Sequence, residues 1–267
     1  MLRAATLASG SSGNCAVVSD GQTCLLIDAG ISARRIVTGL RGLGIPPEHV
    51  HGVLITHEHS DHIAGLAVLC RQLDLLLYST EPTACQICAR WPALTDRFRV
   101  FDPGDAFSAG GLAAYSFPTS HDCVCPVGYA LSDGAARLAF CTDLGIVTEE
   151  VRSGIRGAGL LVGEFNHDIE LLRSGPYPPA LKRRILGESG HLSNEAGAGL
   201  ALWAAEHGAR QVVLAHLSAE NNRPELAVAA AERTLRQAGA EHGRDVGLML
   251  APRSACSGWM EVPACSV

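Results

Sequence analysis

Lysine occurs once in this 267-residue chain, at Lys182, so arginine carries nearly all of the positive charge. With 21 basic residues against 27 acidic ones, the formal net charge is −6. That excludes a surface that is basic all round. It leaves room for a local basic groove, because electrostatic steering depends on where charge sits. No apolar run approaches the roughly 18–20 residues that a membrane-spanning helix needs. The opening MLRAATLASGSSGN holds too short an apolar stretch for a secretory signal. The protein is therefore expected in the cytoplasm, with no membrane partner. No repeat of fixed period and no low-complexity linker interrupts the chain. Charged residues make up only 18% against 47% hydrophobic, which excludes a disordered chain and allows a sizeable core. The length suits one large α/β domain over residues 1–267 better than two ordinary ones.

Also missing is a second cysteine pair at zinc spacing. The chain has 10 cysteines, and without an export signal free thiols are the expectation. Cys85-Gln-Ile-Cys88 is a lone C-x-x-C, and a structural zinc would need another. Cys123-Val-Cys125 has the wrong spacing for one. Both pairs read as small hydrophobes.

What is present is a series of short apolar runs bounded by Gly, Asp and Ser. AATLAS, CAVVS, CLLID, GVLIT and LLLYS read as strands in the first half. GLAAYSFPTSHD, PVGYALSD, RLAFCTDLG, GLLVGEFNHD and QVVLAHLS continue the theme. ARRIVTGLRGLG, IAGLAVLCRQL, SNEAGAGLALWAAEHG and PELAVAAAERTLRQAG show helical periods, with Ser193 or Asn194 placed to cap the third. Strands in both halves are compatible with two sheets covered by helices, or with one doubly wound sheet.

The strand ends share a property. CLLID stops at Asp28, and GVLIT runs into His57-Glu58-His59-Ser60-Asp61-His62. FPTS stops at His121, RLAFCT at Asp143 and QVVLA at His216. Strand ends at one sheet edge converge in space, and rigid elements hold ligands well. Five imidazoles (His57, His59, His62, His121, His216) and two carboxylates (Asp61, Asp143) make seven donors. A zinc-like ion takes about four, so seven suits two ions sharing a carboxylate and a water.

With those residues in view, the chain resembles the metallo-β-lactamase superfamily, whose signature is H-x-H-x-D-H. LASGSSGNC, IDAGIS, THEHSDHIAGL, PTSHD, PVGY, TDLG, GEFNHD, GHLSN and LAHLS, over residues 8–222, resemble its YycJ/WalJ group of DNA exonucleases. The resemblance implies a four-layer αββα sandwich with metals at one sheet edge. It implies that His57, His59 and His121 hold one ion, that Asp61, His62 and His216 hold the other, and that Asp143 bridges. Asp28 would stand behind the ligands, hydrogen-bonded to an imidazole or the loop.

The chemistry so implied is phosphodiester hydrolysis by a hydroxide shared between two divalent ions, zinc or manganese, with iron also open to a His/Asp site. Asp61 would orient the nucleophile. His191, in GHLSN, resembles the histidine that acts on the leaving group in tRNA 3′-processing nucleases of the same superfamily. The expected partner is nucleic acid, DNA first, with no obligate protein partner. Ser193, Asn194 and His167 are candidate substrate contacts, as are Lys182, Arg183 and Arg184, with Arg173 and Tyr177 nearby to add a cation and a stacking ring. The competing readings are an RNA-processing nuclease and a thioester, lactone or lactam hydrolase.

Overall fold

The computed structural model describes residues 1–264. The chain first lays down β1 (Arg3–Ala8), β2 (Cys15–Ser19), β3 (Cys24–Ile27), β4 (Gly52–Leu54), β5 (Leu76–Thr80) and β6 (Phe98–Phe101). It continues with β7 (Ala106–Ala109), β8 (Leu112–Pro118), β9 (Val127–Ser132), β10 (Arg137–Cys141), β11 (Leu160–Glu164), β12 (Gln211–Ala215) and β13 (Gly247–Leu250). It then returns to the first sheet with β14 (Met260–Glu261). The strand orders are β14-β1-β2-β3-β4-β5-β6 and β13-β12-β11-β10-β9-β8-β7. Each sheet is antiparallel at one side and parallel at the other. The parallel runs are β3 to β6 and β10 to β13.

Side-chain alternation explains the layering. On β3, Leu25 and Ile27 face the core between the sheets, while Cys24 and Leu26 face outward. On β10, Leu138 and Phe140 point inward, and Ala139 and Cys141 outward. The outer face of the first sheet is covered by α1 (Ala33–Gly42), α3 (Leu66–Gln72) and α4 (Glu81–Arg90). That of the second is covered by α5 (Glu149–Ile155), α8 (Asn194–Glu206) and α9 (Pro224–Gln237). Helix, sheet, sheet and helix make the four-layer αββα sandwich. Strands buried on both faces have no polar side, which is why they read in sequence as unbroken apolar runs. Each fully buried leucine among them contributes about 2 kcal/mol.

Two hydrogen bonds tie the sheets together near one edge. The Tyr129 hydroxyl donates to the Ile55 carbonyl at 2.6 Å, and Val127 N–H to Thr56 at 3.1 Å. Tyr129 is fully buried, so its hydroxyl needs this acceptor.

The structure departs from the sequence reading in two places. The expected helix through IAGLAVLCRQL is broken: α2 (Ser60–Ile63) ends before α3 begins. Gly65 stands at the break, where a Cβ would lie 2.0 Å from the Ile31 carbonyl oxygen. Its N–H donates to Ala29 at 2.8 Å, so backbone packs on backbone there. The second departure is the edge strands β6, β7, β13 and β14, which the apolar pattern does not mark. They are two to four residues long and part-exposed, so they carry no run of apolar residues. Short α6 (Ile169–Ser174) and α7 (Pro179–Leu186) complete the described α-helices, beside two 3-10 turns at Pro47–His49 and Pro92–Arg97.

Candidate metal centre

Six strands deliver polar residues to one shared edge at their C-terminal ends. Asp28 follows β3, the His57–His62 segment follows β4, and His121 follows β8. Asp143 follows β10, Glu164 ends β11, and His216 follows β12. Among the described residues, three non-glycines have positive φ: Asp28 at 60°, Asp143 at 61° and His216 at 57°. All three belong to this edge. A left-handed non-glycine residue costs on the order of 1–3 kcal/mol, and the cost persists only where surrounding structure imposes it. Each turn aims a side chain across the strand ends instead of along them.

The His57, His59 and His121 rings converge. Their centroids are 4.7 Å apart for His57–His59, 5.1 Å for His57–His121 and 5.0 Å for His59–His121. His121 Nδ1–H donates to the Gly190 carbonyl at 3.0 Å, which leaves Nε2 as the lone-pair nitrogen. That Nε2 lies 3.2 Å from His59 Nδ1. His57 Nδ1 is engaged by the Thr56 hydroxyl at 3.0 Å, and its buried Nε2 has no hydrogen-bond partner.

Beside this group stand Asp61, His62 and His216. Asp28 accepts from His62 Nδ1 at 2.7 Å, and from the Thr56 N–H and hydroxyl at 2.9 Å each. His62 Nε2 is therefore the nitrogen turned toward the cluster, 3.5 Å from Asp61 Oδ2 and 3.4 Å from Asp143 Oδ2. Asn14 Nδ2 lies 3.0 Å from the same nitrogen. Asp143 reaches both groups, because its Oδ1 is 4.0 Å from His121 Nε2 and 3.5 Å from His216 Nδ1.

Glu164 is the residue that sequence reasoning overlooked. It was visible only as part of EFNHD, without a role. The structure buries it completely and gives it four partners. Oε1 accepts from His191 Nδ1 and His216 Nδ1, each at 2.8 Å. Oε2 accepts from the Leu144 and Leu192 N–H groups at 3.0 and 3.2 Å. A carboxylate ending an apolar strand was the available signal, the same signal that marked Asp28.

The electrostatics follow from crowding in a dry site. Burial, reinforced by the His62, His121 and His59 rings, holds His57 well below the ordinary imidazole range. Burial opposes charge on His62 too, but the Asp143 and Asp28 carboxylates outweigh it and push the ring up to about 9. His216 rises for the same reason, through Asp143, Asp61 and Glu164. Burial would raise Asp61 and Glu164; the imidazoles beside them hold both well below the carboxylate range. The carboxylates are thus compensated by imidazolium charge.

The donor set suits divalent cations. Imidazole nitrogens of His57, His59 and His121 lie within 4.8 Å of one another, as do ligand atoms of Asp61, His62 and His216. His57 Nε2, His216 Nε2 and Asp143 Oδ2 are buried and without a hydrogen bond. Native interiors rarely leave such atoms unpaired unless an ion or water completes them.

A cleft of about 230 Å³ opens over this centre. His59, Asp61, His121, Asp143, His191 and His216 form its floor, and Ser11, Asn166 and Ser218 one rim. Tyr177, Leu181, Arg184 and Ile185 form the opposite wall. Leu181, Arg184 and Ile185 share one face of α7, at i, i+3 and i+4.

Several expected substrate contacts are placed elsewhere. Within the Lys182-Arg183-Arg184 run, Arg184 alone lines the cleft. Helical geometry turns Lys182 and Arg183 away, and Lys182 donates to the Arg173 carbonyl at 2.6 Å. Arg173 itself is exposed and pairs with Glu170. Ser193 caps α8 by accepting from Ala196 N–H. Asn194 is buried and exchanges amide hydrogen bonds with Asn222, at 2.9 and 2.8 Å. His167 is 1% exposed, lies outside the cleft lining, and has neither ring nitrogen hydrogen-bonded. Burial holds it down at about 4, as a neutral ring.

Two helix-covered sheets with an imidazole–carboxylate cluster at their common edge define the metallo-β-lactamase fold. The chain belongs to the beta-lactamase superfamily: a model of the Beta-lactamase superfamily domain matches residues 23–217. The chain is 38% identical over 246 residues to the exodeoxyribonuclease YycJ of Bacillus anthracis, spanning 89% of this chain and 90% of that protein. It is likewise 38% identical over 231 residues to the exodeoxyribonuclease WalJ of Streptococcus pneumoniae, spanning 83% of each. The crystal structure of the metallo-beta-lactamase fold protein YhfI from Bacillus subtilis superposes with a TM-score of 0.71 at 18% identity. It covers 96% of this chain and 99% of that one, a likeness of fold. Among the described residues no helix is long and apolar enough to cross a membrane.

Proposed function

We propose that the protein is a metal-dependent nuclease that hydrolyses phosphodiester bonds of DNA from an end, with residues 1–267 working as one domain. The observation that carries this reading is the coupling of the cluster to His191 through Glu164, beneath a cleft whose described lining holds one arginine, Arg184. The names of the relatives at 38% identity point the same way.

His57, His59 and His121 would hold one divalent cation and Asp61, His62 and His216 a second, with Asp143 shared between them. Zinc, manganese and iron all suit such donors. When bound, the pair supplies Lewis acidity toward the phosphoryl group and lowers the pKa of a water. The remaining roles fall to the chain. Asp61, partly exposed at the cleft floor, orients the attacking water by accepting its hydrogen bond. Glu164 anchors His191 through Nδ1, so that Nε2 is the nitrogen that handles a proton at the leaving oxygen. The same carboxylate orients His216, and Asp28 does so for His62, each fixing a tautomer and a ring plane. Arg184 offers a planar fork to a phosphate, and Tyr177 a ring for a base to stack on.

The test is a substrate panel. Protein reconstituted with manganese or zinc is incubated with end-labelled single- and double-stranded DNA, RNA, and thioester and lactone substrates. The expected result is stepwise shortening of DNA with release of mononucleotides. Turnover confined to thioesters or lactones overturns the reading, and preferential RNA processing moves the substrate class.

A further inference from the structure

Beside the cleft, outside its lining, the chain carries an oxyanion of its own. Asp122, next to His121, forms a two-pronged ion pair with Arg184 on α7. One prong joins Arg184 Nε to Asp122 Oδ2, and the other joins Nη2 to Oδ1 at 2.8 Å. The same Oδ1 stands 3.6 Å from His121 Nε2, the nitrogen left as a lone pair by the Gly190 carbonyl. A carboxylate paired with the one Arg or Lys among the described lining residues therefore stands between that cation and the metal centre. A substrate phosphate held by Arg184 over the centre would need the same ground.

We propose that Asp122 is an internal phosphate mimic that holds Arg184 at the cleft mouth until a phosphate oxyanion of the substrate takes its place. Resting on the nuclease reading, this names the anion subsite of that centre and the residue that competes for it. Carboxylate and phosphate present the same pair of acceptors to a guanidinium fork, so exchange needs no new geometry at Arg184. The pair is also cheap to open. Its side chains are 48% and 33% exposed, and surface ion pairs contribute little net stability. The latch keeps Arg184 aimed across the cleft, toward the floor that Asp61, His59 and His121 form. Asp122 is a positioning residue, since it acts through Arg184.

A double-mutant cycle separates this from simple charge repulsion. Asp122→Asn, Arg184→Gln and the double variant of the full chain are compared with the parent using two probes. Inorganic phosphate is titrated calorimetrically into zinc-supplied protein, and end-labelled duplex DNA is titrated in EDTA by fluorescence anisotropy. Release of a competing charged partner should tighten both ligands about fivefold in Asp122→Asn, and loss of the fork should weaken both about tenfold in Arg184→Gln. The double variant should match Arg184→Gln, because the acid has nothing left to compete for. Asp122→Glu, which keeps the pair, should stay within about twofold of the parent. No tightening in Asp122→Asn overturns the proposal. Tightening that survives in the Arg184→Gln background overturns it as well, since the carboxylate would then act only by repelling anions. If the phosphate cycle behaves as stated while DNA binds to no variant, the latch stands and the nuclease reading falls.

Discussion

The two sheets feed the same centre in different ways. The first sheet delivers four residues from one six-residue segment, with Asp28 behind them. The second delivers His121, Asp143, Glu164 and His216 singly, one per strand end, and His191 from the loop before α8. Each side has one buried carboxylate that orients rings. Asp28 serves His62 alone, whereas Glu164 serves His191 and His216 together. A cluster built from one segment needs one anchor to hold its plane. Residues from separate strands need a shared anchor, and Glu164 joins a ring of the metal cluster to the ring assigned to the leaving group.

The comparison breaks first at the residue that belongs to both sides. Asp143→Ala should reduce hydrolysis to background and lower bound metal, measured by elemental analysis beside nuclease assays. Turnover retained with both ions in place would overturn the bridging role proposed for Asp143. Next come the anchors. Replacing an outer carboxylate behind a ligand histidine costs about 10–100-fold. Glu164→Gln should fall at the upper end and Asp28→Asn at the lower. Glu164→Gln should lower kcat even at saturating metal, and Asp28→Asn should be rescued by added metal. Equal losses with equal rescue would mean that Glu164 acts on His216 alone.

The same contrast explains what could be read from the sequence. His57-Glu58-His59-Ser60-Asp61-His62 is legible because its spacing is local, and the single donors became legible once each was seen to end an apolar run. Glu164 ends such a run too, but glutamate beside Asn166 and His167 offered three polar candidates and no spacing to choose among them. The strand ends also do not reveal direction. His167 and Asn194 lie in the right stretches, yet a residue or two of chain turns them into the interior. The Lys182–Arg184 run reads as one patch, while a 100° step per residue leaves only Arg184 over the cleft. The apolar runs left two helix-covered sheets and one doubly wound sheet both open, so the αββα layering came from the family resemblance alone, and the short edge strands left no pattern because they bury too little.

His167 gives a smaller effect, on stability. Its pKa of about 4 lies below the unfolded imidazole value near 6.5, so the unfolded chain binds the extra proton between those limits. The neutral ring's contribution is fully present above about pH 6.5 and is lost as the pH falls toward 4, roughly 3 kcal/mol over the window. Urea unfolding of metal-free protein should show this slope, and His167→Leu should flatten it. An unchanged slope would assign the acid sensitivity to the other imidazoles held below the ordinary range, His57 and His121.

Ser193 yields the smallest expected effect and the sharpest separation of fold from function. It follows the His191 loop closely enough to pass for a substrate contact, yet its hydroxyl oxygen accepts from Ala196 N–H at 3.2 Å at the start of α8. Loss of an N-cap of this kind costs about 1 kcal/mol. Ser193→Ala should therefore lower the unfolding midpoint slightly while KM for DNA stays at the parent value. Glu164 takes its partners from His191, His216, Leu192 and Leu144, none of which depends on that hydroxyl. A rise in KM without loss of stability would return Ser193 to the cleft, and would mean that the α8 cap exchanges its backbone partner for a phosphate when substrate binds.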